Sequence, residues 1–92
     1  MRYFRTAAFA RAYRHLDRIR QRRAGDTLLK MAEAFATGTI PHGLGLTPLH
    51  HEIWEARCGL HDRILFRRLP GDVLELLLVG THDEIKRFLR HP

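Results

Sequence analysis

Glu55, Arg57, Arg63, Arg67 and Glu75 lie at even spacings on either side of two short breaks, Cys58-Gly59-Leu60-His61-Asp62 and Pro70-Gly71-Asp72. Their types suit one kind of chemistry. Paired guanidiniums grip phosphate oxygens through parallel N–H···O bonds. The same five side chains can also neutralise one another as an ion network on a solvated face, so both readings stand on spacing alone.

Other reactive types point to less. Of the seven histidines, His50 and His51 are adjacent, which sends them to opposite faces of a strand, and no His-x3-His or Cys-x2-Cys pair exists. A structural zinc site normally needs four such ligands, so no metal is expected. Residues 38–49 hold three glycines and two prolines but no Gly-Lys-Ser/Thr, so they read as an irregular connection, not a phosphate loop. No cofactor is expected. Cys58 is the single cysteine and cannot form an internal disulfide. That favours a reducing compartment, and with no apolar leader or ~20-residue apolar run the expected address is the cytoplasm, with no membrane partner.

The elements that must position these residues follow from periodicity. Residues 1–92 are expected to form one domain. Tyr3-Phe4 can open a short strand. Phe9, Ala12, Tyr13, Leu16 and Ile19 share a helical face, with Thr6 as N-cap and a stop at Ala24-Gly25. A second helix is expected from Asp26 to Ala36, closing an antiparallel helical hairpin. Strands are expected over His51 to Cys58, Arg63 to Leu69 and Val73 to Val79, with Gly80 ending the last. Thr81-His82-Asp83-Glu84 has the form of a capping box, opening a C-terminal helix through Leu89.

The expected fold is therefore α+β in the order β-α-α-β-β-β-α, a small, mostly antiparallel sheet with the helical hairpin packed on one face. Strand alternation puts Trp54, Ala56 and Cys58 on the core side with Ile64, Phe66, Leu74, Leu76 and Leu78. The opposite face then carries Glu55, Arg57, Arg63, Arg67 and Glu75. A turn centred on Leu60 sets Arg57 across from Arg63 and Glu55 across from Leu65. Directly opposed like charges are unfavourable, so the arginines need compensation, by the two glutamates or by a phosphate.

The formal charge of +6 is unevenly placed: residues 1–23 hold eight arginines against one acid, Asp17. So concentrated a basic region suits a polyanion or an acidic protein partner; a solvated helix face is the plain alternative.

Taken together, Trp54-Glu55-Ala56-Arg57, Asp62-Arg63-Ile64-Leu65-Phe66 and the apolar strand ending in Val79-Gly80 resemble the RelE/ParE superfamily, the toxins of bacterial type II toxin–antitoxin pairs. Length and element order agree over nearly the whole chain. The resemblance implies a ribosome-dependent mRNA endoribonuclease that inhibits translation, or, along the ParE branch, a non-catalytic toxin that binds DNA gyrase. A degenerate member acting only through protein binding is a third reading. The implied partners are a cognate antitoxin, the ribosome and mRNA. In the nuclease reading Arg63 and Arg57 stabilise the phosphate, Glu55 is the base and His82 matches the basic position after the last strand. Arg67, Lys86 and Arg87 join an RNA-binding rim. Arg11, Arg14 and Arg18 on the first helix grip ribosomal RNA or dock an acidic antitoxin segment. Asp62 and Phe88 depart from the pattern, standing where family members carry tyrosines.

Overall fold

Thr6 turns the first strand into the first helix. In the computed structural model, which describes residues 2–50 and 52–91, its backbone is extended and its hydroxyl oxygen accepts from the Phe9 N–H at 3.1 Å, capping the helix. The same hydroxyl donates to the Leu76 carbonyl at 2.8 Å, which fastens the cap to the sheet. Eight elements follow: β1 (Arg2–Arg5), α1 (Ala7–His15), α2 (Arg18–Thr37), β2 (Thr47–His50), β3 (Ile53–Cys58), β4 (Asp62–Leu69), β5 (Val73–Thr81) and α3 (His82–Arg90). The strands form one sheet in the order β1-β5-β4-β3-β2, antiparallel except for the β1–β5 pair. The expected α+β class and mostly antiparallel sheet are both present.

The helical boundary differs from expectation. The chain breaks at Leu16-Asp17, not at Ala24-Gly25. Asp17 is the N-cap of α2, its carboxylate accepting from the Arg20 N–H at 2.9 Å. Leu16 drops into the core at 8% exposure. Gly25 sits within a 20-residue helix; there it costs up to ~1 kcal/mol relative to alanine. The end of α2 agrees with the sequence, which offers Gly38 as its cap: φ is 76°, left-handed, and the Gly38 N–H donates to the Ala34 carbonyl at 2.8 Å.

β2 was not expected, because Pro48 and the neighbouring glycines read as loop. It pairs with β3 as an exposed edge, where a missing proline N–H is tolerated. The His51 start expected for the next strand lies outside the described residues. β5 continues through Gly80 to Thr81.

Two cores flank the sheet. The larger lies under the N-terminal helices: Phe9, Leu16, Ala24 and Met31 meet Ala56, Cys58, Ile64, Phe66, Leu74, Leu76 and Val79. α1 lies on β5 and α2 on β3. Burial of a side chain such as Phe66, 0% exposed, contributes about 2–3 kcal/mol. The smaller core occupies the other face, where Ile85 of α3 packs on Leu65 and Leu77 with Ile53, Leu78, Phe88 and Leu89 around them. Alternation alone puts Ile53, Leu65 and Leu77 on that face beside the charged residues. A bulge adds Leu78 and returns Val79 to the larger core: Leu65 pairs with Leu78 but Phe66 pairs with Leu76, leaving Leu77 as an extra residue. Leu78 is thereby moved off the face of Leu74 and Leu76 and under α3. No helix among the described residues is long and apolar enough to cross a membrane.

Candidate functional site

Strand pairing assembles the site as three rows across β3, β4 and β5. The first is Arg57, Arg63 and Gly80; the second Glu55, Leu65 and Leu78; the third Ile53, Arg67 and Glu75. The Arg57–Arg63 and Glu55–Leu65 oppositions expected from the turn are both realised. Arg57 donates its N–H away from β4, to the Leu44 carbonyl at 2.8 Å. The Arg57–Arg63 pair is therefore of the kind without mutual backbone hydrogen bonds, in which side chains stand closest, with Cβ atoms about 4.5 Å apart.

The charges in these rows are only partly compensated. Arg63 Nη1 lies 3.6 Å from Glu55 Oε1, and Arg67 Nε lies 3.5 Å from Glu75 Oε1. Neither contact supplies a hydrogen bond to the two Nε–H groups, which are buried without such a partner among the described residues. Arg63 keeps 26% of its side chain exposed and Arg57 faces solvent. The glutamates hold the arginines in place while leaving donor capacity for an anion.

Local backbone fixes Arg57 further. Gly45 has φ +61°, and a Cβ built on it would meet the Arg57 Cβ at 3.0 Å. The connection between α2 and β2 thus lies directly against the arginine's stem. Beyond the first row, Gly80 has a similar role for α3. A Cβ there would meet the Glu84 Oε1 at 2.9 Å, and Glu84 is needed for the cap: its Oε1 accepts from the Thr81 N–H at 2.8 Å while the Thr81 hydroxyl accepts from the Glu84 N–H at 3.2 Å. The capping box inferred from the sequence is formed, and it places His82 exposed at the first position of α3, two residues beyond the Gly80 that opposes Arg63.

The remaining candidates divide between the two sides of the sheet. Lys86 and Arg87 share α3's outer surface with Asp83 and Arg90, around a shallow depression of about 210 Å³. This is the side that carries Arg63 and Arg67. Arg11, Arg14 and Arg18 are exposed on the helices that cover the opposite face. One ligand lying on the arginine rows does not reach them directly; the sheet intervenes.

Two departures from the family pattern acquire structural roles. Asp62 is buried, at 4% exposure, and accepts both arms of the Arg20 guanidinium: Nε at 2.8 Å and Nη2 at 2.6 Å. That hydrogen-bonded carboxylate raises the Arg20 pKa above its already high ordinary value. Phe88 packs in the α3 core. Arg20 was visible only as one arginine among eight; the clue to its separate role was Asp17, an N-cap three residues before it. Cys58 is buried beside Thr27, and loss of hydration pushes its thiol pKa up, the reverse of what a nucleophile needs. Among the described residues no group of three His, Cys, Asp or Glu side chains is placed to hold a metal ion.

No protein-family model matches the sequence, nor does any curated protein. Solved structures do match. A YoeB/ParE toxin from Agrobacterium tumefaciens superposes with a TM-score of 0.68 at 20% identity, over 89% of this chain and 99% of that one. The RelB-RelE antitoxin-toxin complex from Methanococcus jannaschii gives 0.65 at 15% identity, over 97% and 99%. YafQ from E. coli gives 0.63 at 15% identity, over 92% and 98%. Full-length coverage in both directions shows that this chain has the fold of the RelE/ParE-type toxins.

Proposed function

We propose that this protein is the toxin of a type II toxin–antitoxin pair and acts as a RelE-like, ribosome-dependent mRNA endoribonuclease in the cytoplasm. The observation that carries the reading is the row of opposed Arg57 and Arg63 with Glu55 in the next row, on the α3 side of a sheet whose fold matches known toxins. Two arginines directly opposed across strands are unfavourable unless an anion balances them, and a phosphate can accept from both.

In this reading the scissile phosphate lies over Arg57 and Arg63. Glu55 takes the proton of the 2′-hydroxyl as its oxygen attacks phosphorus. The two arginines stabilise the added charge on the pentavalent phosphate. The P–O5′ bond breaks, His82 gives its proton to the leaving 5′-oxygen, and the products are a 2′,3′-cyclic phosphate and a free 5′-hydroxyl. Arg67, Lys86 and Arg87 extend the positive surface along the RNA. Asp62 takes no part, because both its oxygens are committed to Arg20. The cognate antitoxin is the neutralising partner, as in the RelB-RelE complex whose toxin shares this fold.

The test is expression of the isolated chain, with transcript ends mapped. Growth arrest with cleaved transcripts, both lost in Arg63→Ala, is the expected result. Arrest with intact transcripts, unchanged by Arg63→Ala, overturns it. Blocked DNA supercoiling under those conditions would move the target to gyrase, and absence of toxicity would leave protein binding as the function.

A further inference from the structure

The row next to the arginines is built differently from every other row of the sheet. Cys58, Asp62 and Thr81 oppose one another there, and the Cys58 and Asp62 side chains face α2. Asp62, buried and charged, is gripped by the fork of Arg20 from α2. The first turn of α2 is itself anchored by Asp17, which accepts from the Arg20 backbone N–H. One turn further on, Arg23 lies against the hairpin turn; a Cβ on Gly59 would meet the Arg23 Cδ at 3.2 Å. α2 therefore holds the turn end of the β3–β4 hairpin at two points.

That end is where the hairpin is under electrostatic load. Arg57 and Arg63 repel across the strands, and only a three-residue turn lies beyond the Cys58–Asp62 pair to resist splaying. Asp62 is buried while Arg20 keeps 33% of its side chain exposed, and the net stability of such an ion pair is small compared with apolar residues of the same volume. Its distinctive property is geometry, since a bidentate fork permits one distance and one plane. Asp62 is also adjacent in sequence to Arg63 and opposite Thr81, the cap that sets His82.

We propose that Arg20 and Asp62 are positioning residues that hold Arg57 and Arg63 in register against their own repulsion, so that the two guanidiniums stay spaced for one phosphate. The proposal rests on the reading of that row as the phosphate site. It gives Asp62 a purpose on the side of the sheet away from the RNA, and makes Arg20 part of a clamp and not of the basic surface.

The test uses the full chain with the double variant Arg20→Met/Asp62→Leu, which removes both charges at similar volume, and with Arg20→Lys, which keeps the charge and loses the fork. Amide hydrogen exchange, thermal unfolding and binding of a short single-stranded RNA over a salt series are measured, with Arg63→Ala as reference. In the double variant, unfolding stays cooperative, exchange rises about tenfold or more at residues 56–64 but not at Leu74 or Leu76, and RNA affinity falls about tenfold. The log–log salt slope shrinks by about 0.7, one phosphate contact. Arg20→Lys lies between the two and carries the same comparison if the double variant does not fold. Unchanged exchange at 56–64, or a rise uniform over the whole chain, overturns the proposal. If Arg63→Ala binds RNA as tightly as the parent protein, the site reading fails, and the local exchange still decides whether the clamp holds the hairpin.

Discussion

Gly45→Ala tests how tightly the Arg57 side chain is held. At φ +61° an alanine pays the left-handed penalty of about 1–2 kcal/mol. It also sets a methyl group 3.0 Å from the Arg57 Cβ, inside the ~3.5–4.0 Å optimum for carbon pairs. Crowding of that kind costs about 1–3 kcal/mol, so the total is roughly 2–5 kcal/mol. Gly43→Ala is the control. Its φ of +88° lies further from the left-handed minimum, so its conformational cost is no smaller, but nothing stands within 4 Å of the added Cβ. Any excess loss in Gly45→Ala therefore reports the contact with Arg57. A domain of this size loses roughly 4–8 °C of Tm per kcal/mol. Thermal unfolding by circular dichroism should place Gly45→Ala about 4 °C or more below Gly43→Ala, and RNA affinity should fall only in the former. Equal losses of stability, with equal RNA binding, would refute the claim that the connection between α2 and β2 positions Arg57.

Three further outcomes follow from other parts of the structure. Thr81→Ala removes the hydroxyl half of the capping box and should cost about 1 kcal/mol, read as a Tm drop of roughly 4–8 °C. Phe66→Ala, at a fully buried position beside Phe35, should cost about 3–5 kcal/mol in urea unfolding. Burial raises the Cys58 pKa above its ordinary value of 9.0, so the unfolded thiol ionises first and native stability falls as pH rises above about 9; Cys58→Ala should flatten that part of the stability–pH curve. A native thiol that reacts with iodoacetamide as fast as the urea-unfolded one would contradict its burial.

The legible parts of this molecule are those where one local signal fixes one geometry. The β3–β4 register could be read because charged and apolar residues alternate on both sides of a single turn. The cap of α3 could be read because Thr81 and Glu84 carry their partners within four residues. The illegible parts depend on distant groups. Ala24-Gly25-Asp26 has the chemistry of a helix stop and a new cap, and is overridden because Asp17 starts α2 earlier, while the buried Ala24 and Thr27 seat the helix on either side of Gly25. The run Leu76-Leu77-Leu78-Val79 has no period, so nothing in it locates a bulge; only α3 folding back on the sheet does. The site divided in the same way. Arg57, Arg63 and Glu55 were brought together by parity alone, whereas the bond of Arg20 to Asp62 spans 42 positions and leaves no pattern in the chain.

The extra residue at Leu77 means that β5 is written in two frames. Before it, even-numbered positions serve the helices α1 and α2; after it, Val79 does, and Leu78 serves α3. A β5 of the same length that paired without the bulge would alternate strictly and send Gly80, now beneath Glu84, to the wrong side of the sheet. Thr81 and His82 would turn with it. The bulge in β5 is therefore as much a determinant of where the His82 imidazole sits as the identity of any side chain around it.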